Sequence, residues 1–259
     1  MSDEQQQGEG YTLGWVPITD ALWGKGFLVP GGAATIDRTV GGLDLAGKRI
    51  LDFGSGIGGG TIKLARDHAA YAIGVDIEED FVAYSTTLAK ELGAAAEVEF
   101  RRIEPGKLPL DDASFDCFHT SGVLCHIDDR RSVLSDAYRV LKPGGVIAGY
   151  DWYVEKPNAE TSRWEEVAGF RMYPSTQEQR LKLLRELGFV NVAGEDITPV
   201  YLPKIAEEIA TLEGPYFEQA AKDTSAEERD HFIQEWKCMK AALDTGLVRQ
   251  GIFRGTKPA

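Results

Sequence analysis

Asp52, Gly54, Gly56, Gly59 and Asp76 fall in one frame: an apolar run, an acid, a glycine-rich turn, an amphipathic stretch, a second apolar run and a second acid. A turn of this kind aims backbone N–H groups at a ligand from the start of a helix, which suits phosphates and nucleoside cofactors. A triphosphate loop would read GxxxxGK[ST]. Here Thr61-Ile62-Lys63 follows the glycines, so the lysine is out of place. The dinucleotide pattern GxGxxG does match Gly54, Gly56 and Gly59, with Asp76 near the distance of a ribose-binding acid. Asp52 discriminates. It stands at the mouth of the strand, where a pyrophosphate would meet a like charge and a cofactor bearing an ammonium and a sulfonium would be attracted. The acid therefore favours S-adenosylmethionine over NAD. In a purely structural role, Asp52 would cap the helix and the glycines would only allow a tight turn.

Other residues carry acceptor-side chemistry. His126 follows an apolar strand, and an imidazole suits removal of a proton near neutral pH. Its bland alternative is a loop histidine bonded to backbone. Tyr11 reads as an aromatic that packs at the end of a polar leader. The Arg171 fork suits a phosphate or carboxylate, or else a surface ion pair with Glu165 or Glu166. Trp152 offers an aromatic wall, which suits a methylated cation. Trp15, Trp23 and Trp236 read as core or cap residues, and "EERD" and "EEIA" as solvated helix faces. His68, His119 and His231 read as surface or structural, with His119 also a candidate to line the cofactor site.

The elements that must position these residues alternate. From about Lys48 to Thr198, apolar strand runs ("KRILDFG", "YAIGVDI", "EVEFRRI", "SFDCFHTSG", "GVIAGYDWY", "VNVAGEDIT") alternate with amphipathic helical stretches. "GIFRGTK" reads as a last strand. The expected fold is α/β: a Rossmann-like, doubly wound, seven-stranded and mostly parallel sheet with helices on both faces. Residues 1–10 read as a disordered tail, and residues 11–259 as one domain. Within it, residues 11–47 form an N-terminal helical lid. Residues 203–246 form a helical cap inserted before the last strand, over the strand ends where ligands bind in such sheets.

The chain has 259 residues and a formal net charge of -13, which disfavours nucleic acid and anionic membrane surfaces. No apolar run approaches the roughly 20 residues of a bilayer span. Three cysteines without metal-like spacing fit reduced thiols and a cytoplasmic protein, with no metal expected. A small-molecule partner is expected; monomer and homodimer both remain open.

With these motifs in place, the chain resembles the class I S-adenosylmethionine-dependent methyltransferases. "ILDFGSGIGGG" is similar to the family's first motif and "GVDI" to its second. The resemblance implies that Asp76 takes the ribose hydroxyls, that Ile77 lies against the adenine and that Glu104 meets the adenine amino group. Thr120 is placed with the cofactor contacts on the same ground. A closer likeness runs over nearly the whole chain, to the phosphoethanolamine N-methyltransferases. It rests on "LWGKGFLVPGG", the triple glycine, His126, "FRMYPS" and "WKCMKAALDTGLVRQGIFRGTK". This likeness implies a catalytic Tyr11–His126 pair, with Arg171 and Tyr173 holding the substrate phosphate and Trp152 at the substrate site. The departures matter too. The family's active-site aspartate falls on Gly122, its phosphate-binding lysine on Met239, and substrate-site tyrosines on Thr19, Trp152 and Val167. A serine near the cofactor falls on Val29. The expected activity is methyl transfer to a heteroatom, nitrogen first, of a small polar anion other than phosphoethanolamine. An S- or O-methyltransferase of a small acid is the alternative within the class. Outside it stand an NAD-dependent oxidoreductase and a non-catalytic binding module.

Overall fold

The computed structural model describes residues 12–215, 217 and 224–259. The tail, Tyr11 and part of the expected cap therefore lie outside the described residues. Seven strands, β1 (Arg49–Phe53), β2 (Tyr71–Asp76), β3 (Val98–Arg102), β4 (Phe115–Ser121), β5 (Leu141–Val154), β6 (Val190–Asp196) and β7 (Val248–Thr256), form one sheet in the order β3-β2-β1-β4-β5-β7-β6. Neighbours from β3 to β5 pair in parallel, while β7 runs antiparallel to both β5 and β6. The mostly parallel, doubly wound sheet expected from the alternation is the one observed.

Side-chain alternation divides the strand residues between two helical layers. Leu51, Phe53, Ile73, Val75 and Phe118 pack toward α5 (Arg130–Val140) and α7 (Gln177–Glu186). Ile50, Ala72, Cys117 and Ala148 pack toward α2 (Gly32–Val40), α3 (Gly59–Asp67) and α4 (Glu79–Glu91). A third cluster joins α1 (Val16–Trp23), α6 (Ala159–Ala168), α8 (Thr198–Leu212) and α9 (Ala226–Asp244) over the C-terminal part of β5. Local signals set several starts. Thr176 with Gln179 and Ser225 with Glu228 form capping boxes for α7 and α9. Asn158 caps α6, a helix the periodicity does not announce. Two boundaries differ from the sequence pattern. β5 takes in the "KPGG" segment, with a register shift between Phe115 and Cys117 on its partner strand. α8 starts at Thr198, ahead of Pro203, because Pro199 occupies its first turn where a missing N–H costs little.

The glycine turn requires glycine for contact as well as conformation. Gly54 has φ +72, and a Cβ there would lie 2.2 Å from Val123 Cγ2. A Cβ at Gly59 would lie 2.3 Å from the Gly26 carbonyl oxygen. Gly59 N–H donates to that same oxygen at 2.8 Å, and Gly26 N–H donates to Asp20 Oδ1 at 2.8 Å. The segment after α1 is thus latched onto the start of α3. Gly59→Ala should force two backbones apart at a cost of roughly 1–3 kcal/mol. Trypsin should then cleave after Lys25 faster than in the wild type; an unchanged cleavage rate would contradict the close approach.

Candidate active site

The C-terminal ends of β1, β2 and β4 gather the cofactor-side candidates. Asp76 accepts from Gly56 N–H at 2.8 Å and from Glu78 N–H at 3.1 Å, so it shapes the turn from the neighbouring strand. Burial raises its carboxyl above the ordinary value, opposed by those N–H groups. Ile77, next along the chain, is 43% exposed, an aliphatic surface without cover beside the turn. Glu104 is exposed and paired with Arg102. Thr120 is buried, and its hydroxyl has no hydrogen-bond partner; the same holds for Ser55 and Ser121 Oγ nearby on β4 and the turn.

Asp52 is placed differently from the sequence expectation. Its Oδ2 accepts from Thr61 Oγ1 at 2.6 Å, and its Oδ1 from His119 Nδ1 at 2.7 Å, with both partners buried. It shares its face of β1 with Ile50, toward α3, and the β1–β4 register sets it opposite His119. The carboxylate therefore braces the helix start from below. His119, read as structural, is that brace's second half.

The acceptor-side candidates separate into two groups. His126, Trp152, Thr19 and Met239 line one cavity of about 30 Å³ between α1, α6 and α9. Trp15, Trp23, Trp164, Phe170, Phe232, Trp236 and Glu235 complete most of its wall. The rings meet edge-on or stacked: Trp152–Trp164 at 4.9 Å, Trp15–Phe232 at 5.6 Å, Phe232–Trp236 at 4.1 Å. Arg171 and Tyr173 are not among the lining residues; the Arg171 guanidinium lies 4.9 Å over the Tyr173 ring. Glu165 accepts from Met172 N–H and Glu166 pairs with Arg163, so neither takes Arg171 as the surface alternative would have it.

The backbone of that segment does reach the histidine. His126 Nδ1–H donates to the Arg171 carbonyl at 2.9 Å, which puts the lone pair of the neutral ring on Nε2. Burial lowers the His126 pKa from 6.5, partly opposed by the Arg171 carbonyl and the acids Asp151 and Glu165. Tyr173 N–H donates to the Cys125 carbonyl at 2.8 Å, and Arg130 bonds the carbonyls of Leu124 and Tyr173. Beneath lies a fully buried ion pair, Arg180 Nη1 to Asp151 Oδ2 at 2.8 Å, between α7 and β5. Asp151 Oδ1 accepts from Cys125 N–H at 3.2 Å and Trp152 N–H at 2.9 Å. One carboxylate thus positions both His126's loop and Trp152.

Sequence reasoning misses several of these contributors. Trp15, Trp23 and Trp236 belong to the cavity wall. Glu208, within a run that reads as a solvated face, accepts from Trp23 Nε1, Trp236 Nε1 and Tyr201 Oη at 2.8–2.9 Å and ties the lid to both cap helices. Apolar residues on both sides of "EEIA" are the one available signal that this face is covered.

The Methyltransferase domain family matches residues 51–149. A wheat phosphoethanolamine N-methyltransferase is 28% identical over 95% of this chain and 48% of its own length. The O-methyltransferase rstn1 of Aspergillus nomiae is 32% identical over 58% of this chain and 68% of its own. The Haemonchus contortus phosphoethanolamine N-methyltransferase 2, solved with phosphomonomethylethanolamine and S-adenosylhomocysteine, superposes with TM-score 0.84 at 25% identity, over 93% of this chain and 56% of that one. The chain spans about half the length of the phosphoethanolamine N-methyltransferases it matches.

Arg180→Met should expose the dependence on the ion pair. It leaves Asp151 buried without its counter-charge, a loss of about 3–5 kcal/mol in urea unfolding. A loss below about 1 kcal/mol would show that water or another cation reaches Asp151.

Proposed function

We propose that the chain, which belongs to the class I S-adenosylmethionine-dependent methyltransferases, moves a methyl group from S-adenosylmethionine to a heteroatom, nitrogen foremost, of a small molecule held in the cavity under the cap. Family membership displaces the dinucleotide reading of the glycine turn. The observation that carries the proposal is His126: a cavity-lining imidazole whose Nδ1–H is committed to the Arg171 carbonyl and whose Nε2 is therefore the basic nitrogen.

The residues at the strand ends suit the donor. Asp76, Ile77 and Thr120 would hold its nucleoside part, with the unpartnered Thr120 hydroxyl available to it. Asp52 contributes by bracing the turn. When bound, S-adenosylmethionine supplies a methyl group on a sulfonium, so transfer demands alignment and dry surroundings more than strong acid or base. The chain's share is then clear. Glu208 closes lid against cap and excludes water. Asp151 holds Trp152 and the His126 loop in register. His126 Nε2 takes the proton that an N–H or O–H acceptor must lose. Tyr11 joins this pair on the resemblance alone.

A small anionic acceptor is a second reading. What favours it is that the Arg171 guanidinium hangs from the very residue whose carbonyl orients His126. Under that reading Arg171→Ala raises KM for anionic acceptors and leaves uncharged ones untouched.

Calorimetry should show S-adenosylhomocysteine binding to the wild type; no binding would overturn the methyl-transfer reading. His126→Ala should keep that affinity and lose about 10²–10⁴ in turnover with any accepted amine. Full turnover would remove His126 from the mechanism. Because burial lowers its pKa, the ring stays neutral below pH 6.5 and is protonated only as pH falls further. The acid limb of kcat at saturating acceptor should therefore lie below pH 6.5. A limb above that value would contradict the assignment.

A further inference from the structure

The cavity contains an acid that the transfer reaction does not use. Glu235 lines the cavity from α9, 4% exposed, among tryptophan and phenylalanine rings. Its Oε2 has no hydrogen-bond partner. Burial pushes its carboxyl up to about 8, with the Trp164 indole N–H opposing the rise. A carboxyl sealed into an apolar wall costs stability unless a ligand makes use of it. The rest of the wall indicates which ligand. Among the described lining residues there is no lysine or arginine, and Met239 occupies the α9 position on the same side. Lys240, next along the chain, is paired with Asp244. A phosphate or carboxylate in this cavity would face a carboxyl and the electron-rich faces of indoles. An ammonium would meet the reverse: a counter-charge within reach and several aromatic faces around it.

We propose that this cavity is a subsite for an organic ammonium group, with Glu235 as its counter-charge and the tryptophan faces as its walls. The methyl acceptor is then an amine-bearing cation, and this identification of the acceptor rests on the methyl-transfer reading. Glu235 acts as a specificity residue, separate from the proton acceptor His126. Ionised Glu235 beside an ammonium is consistent with its surroundings, because the ligand's charge replaces lost hydration.

The test is a set of calorimetric titrations on the full chain. The probes are ethylammonium, uncharged ethanol and acetate. The wild type should bind the ammonium roughly tenfold or more tighter than the alcohol, and acetate weakest. Glu235→Gln should lose that preference and keep the alcohol's affinity. S-adenosylhomocysteine affinity, measured on the same samples, should be unchanged in the variant and so report an intact fold. Equal binding of ammonium and alcohol by the wild type would overturn the proposal, as would tighter binding of acetate. So would an undiminished ammonium preference in Glu235→Gln. If the wild type fails to bind S-adenosylhomocysteine but prefers the ammonium, the methyl-transfer reading falls and the cation subsite stands.

Discussion

A single ion pair without solvent exposure, Asp151 with Arg180, determines where the acceptor-side groups sit. Such a pair adds little stability over an apolar substitute, since desolvation consumes most of the attraction. What it supplies is direction. Asp151 stands on β5 between Tyr150 and Trp152, and its second oxygen is shared by the N–H groups of Cys125 and Trp152. The loop that carries His126 is therefore tied to the strand that carries Trp152, one of the cavity's tryptophans. Arg180 is held in turn by the rings of Tyr153 and Phe253, at 5.6 and 5.4 Å. If the pair shifted, the histidine and the aromatic wall would shift together.

The cap and lid complete what the sheet begins. An open α/β sheet offers a crevice at its strand ends but leaves it wet. Here α1, α8 and α9 converge on Glu208, whose two oxygens take three N–H and O–H donors from three helices. The enclosed space is aromatic because tryptophan and phenylalanine do the covering. The Gly26–Gly59 contact joins the lid to the cofactor turn, so the two halves of the site share one closure.

Legibility followed locality. The glycine turn is visible because its requirements, a positive φ and a close backbone approach, fall on consecutive residues. The central strands β1, β2, β4 and β5 are visible because buried parallel strands read as apolar runs. The partners of Asp52 are not, since His119 lies across the β1–β4 register and only pairing brings it there. Arg180 sits in "TQEQRLKLLRELG" and looks like any solvated helix charge; its burial depends on β5 passing beneath. Glu208 and Glu235 are concealed likewise, because an acid at helical spacing signals water until another helix covers it. The tryptophans were legible as buried, but their arrangement around one space depends on three helices distant in sequence.

This network presents His126 with Nδ1–H bound to backbone and Nε2 basic, at a cavity fixed by Asp151. Long-range proton–nitrogen NMR on histidine-labelled protein at neutral pH reads the tautomer directly. The account predicts a neutral His126 with its proton on Nδ1, and loss of that single tautomer in Arg180→Met. A proton on Nε2 in the wild type, or a charged ring at neutral pH, would contradict it.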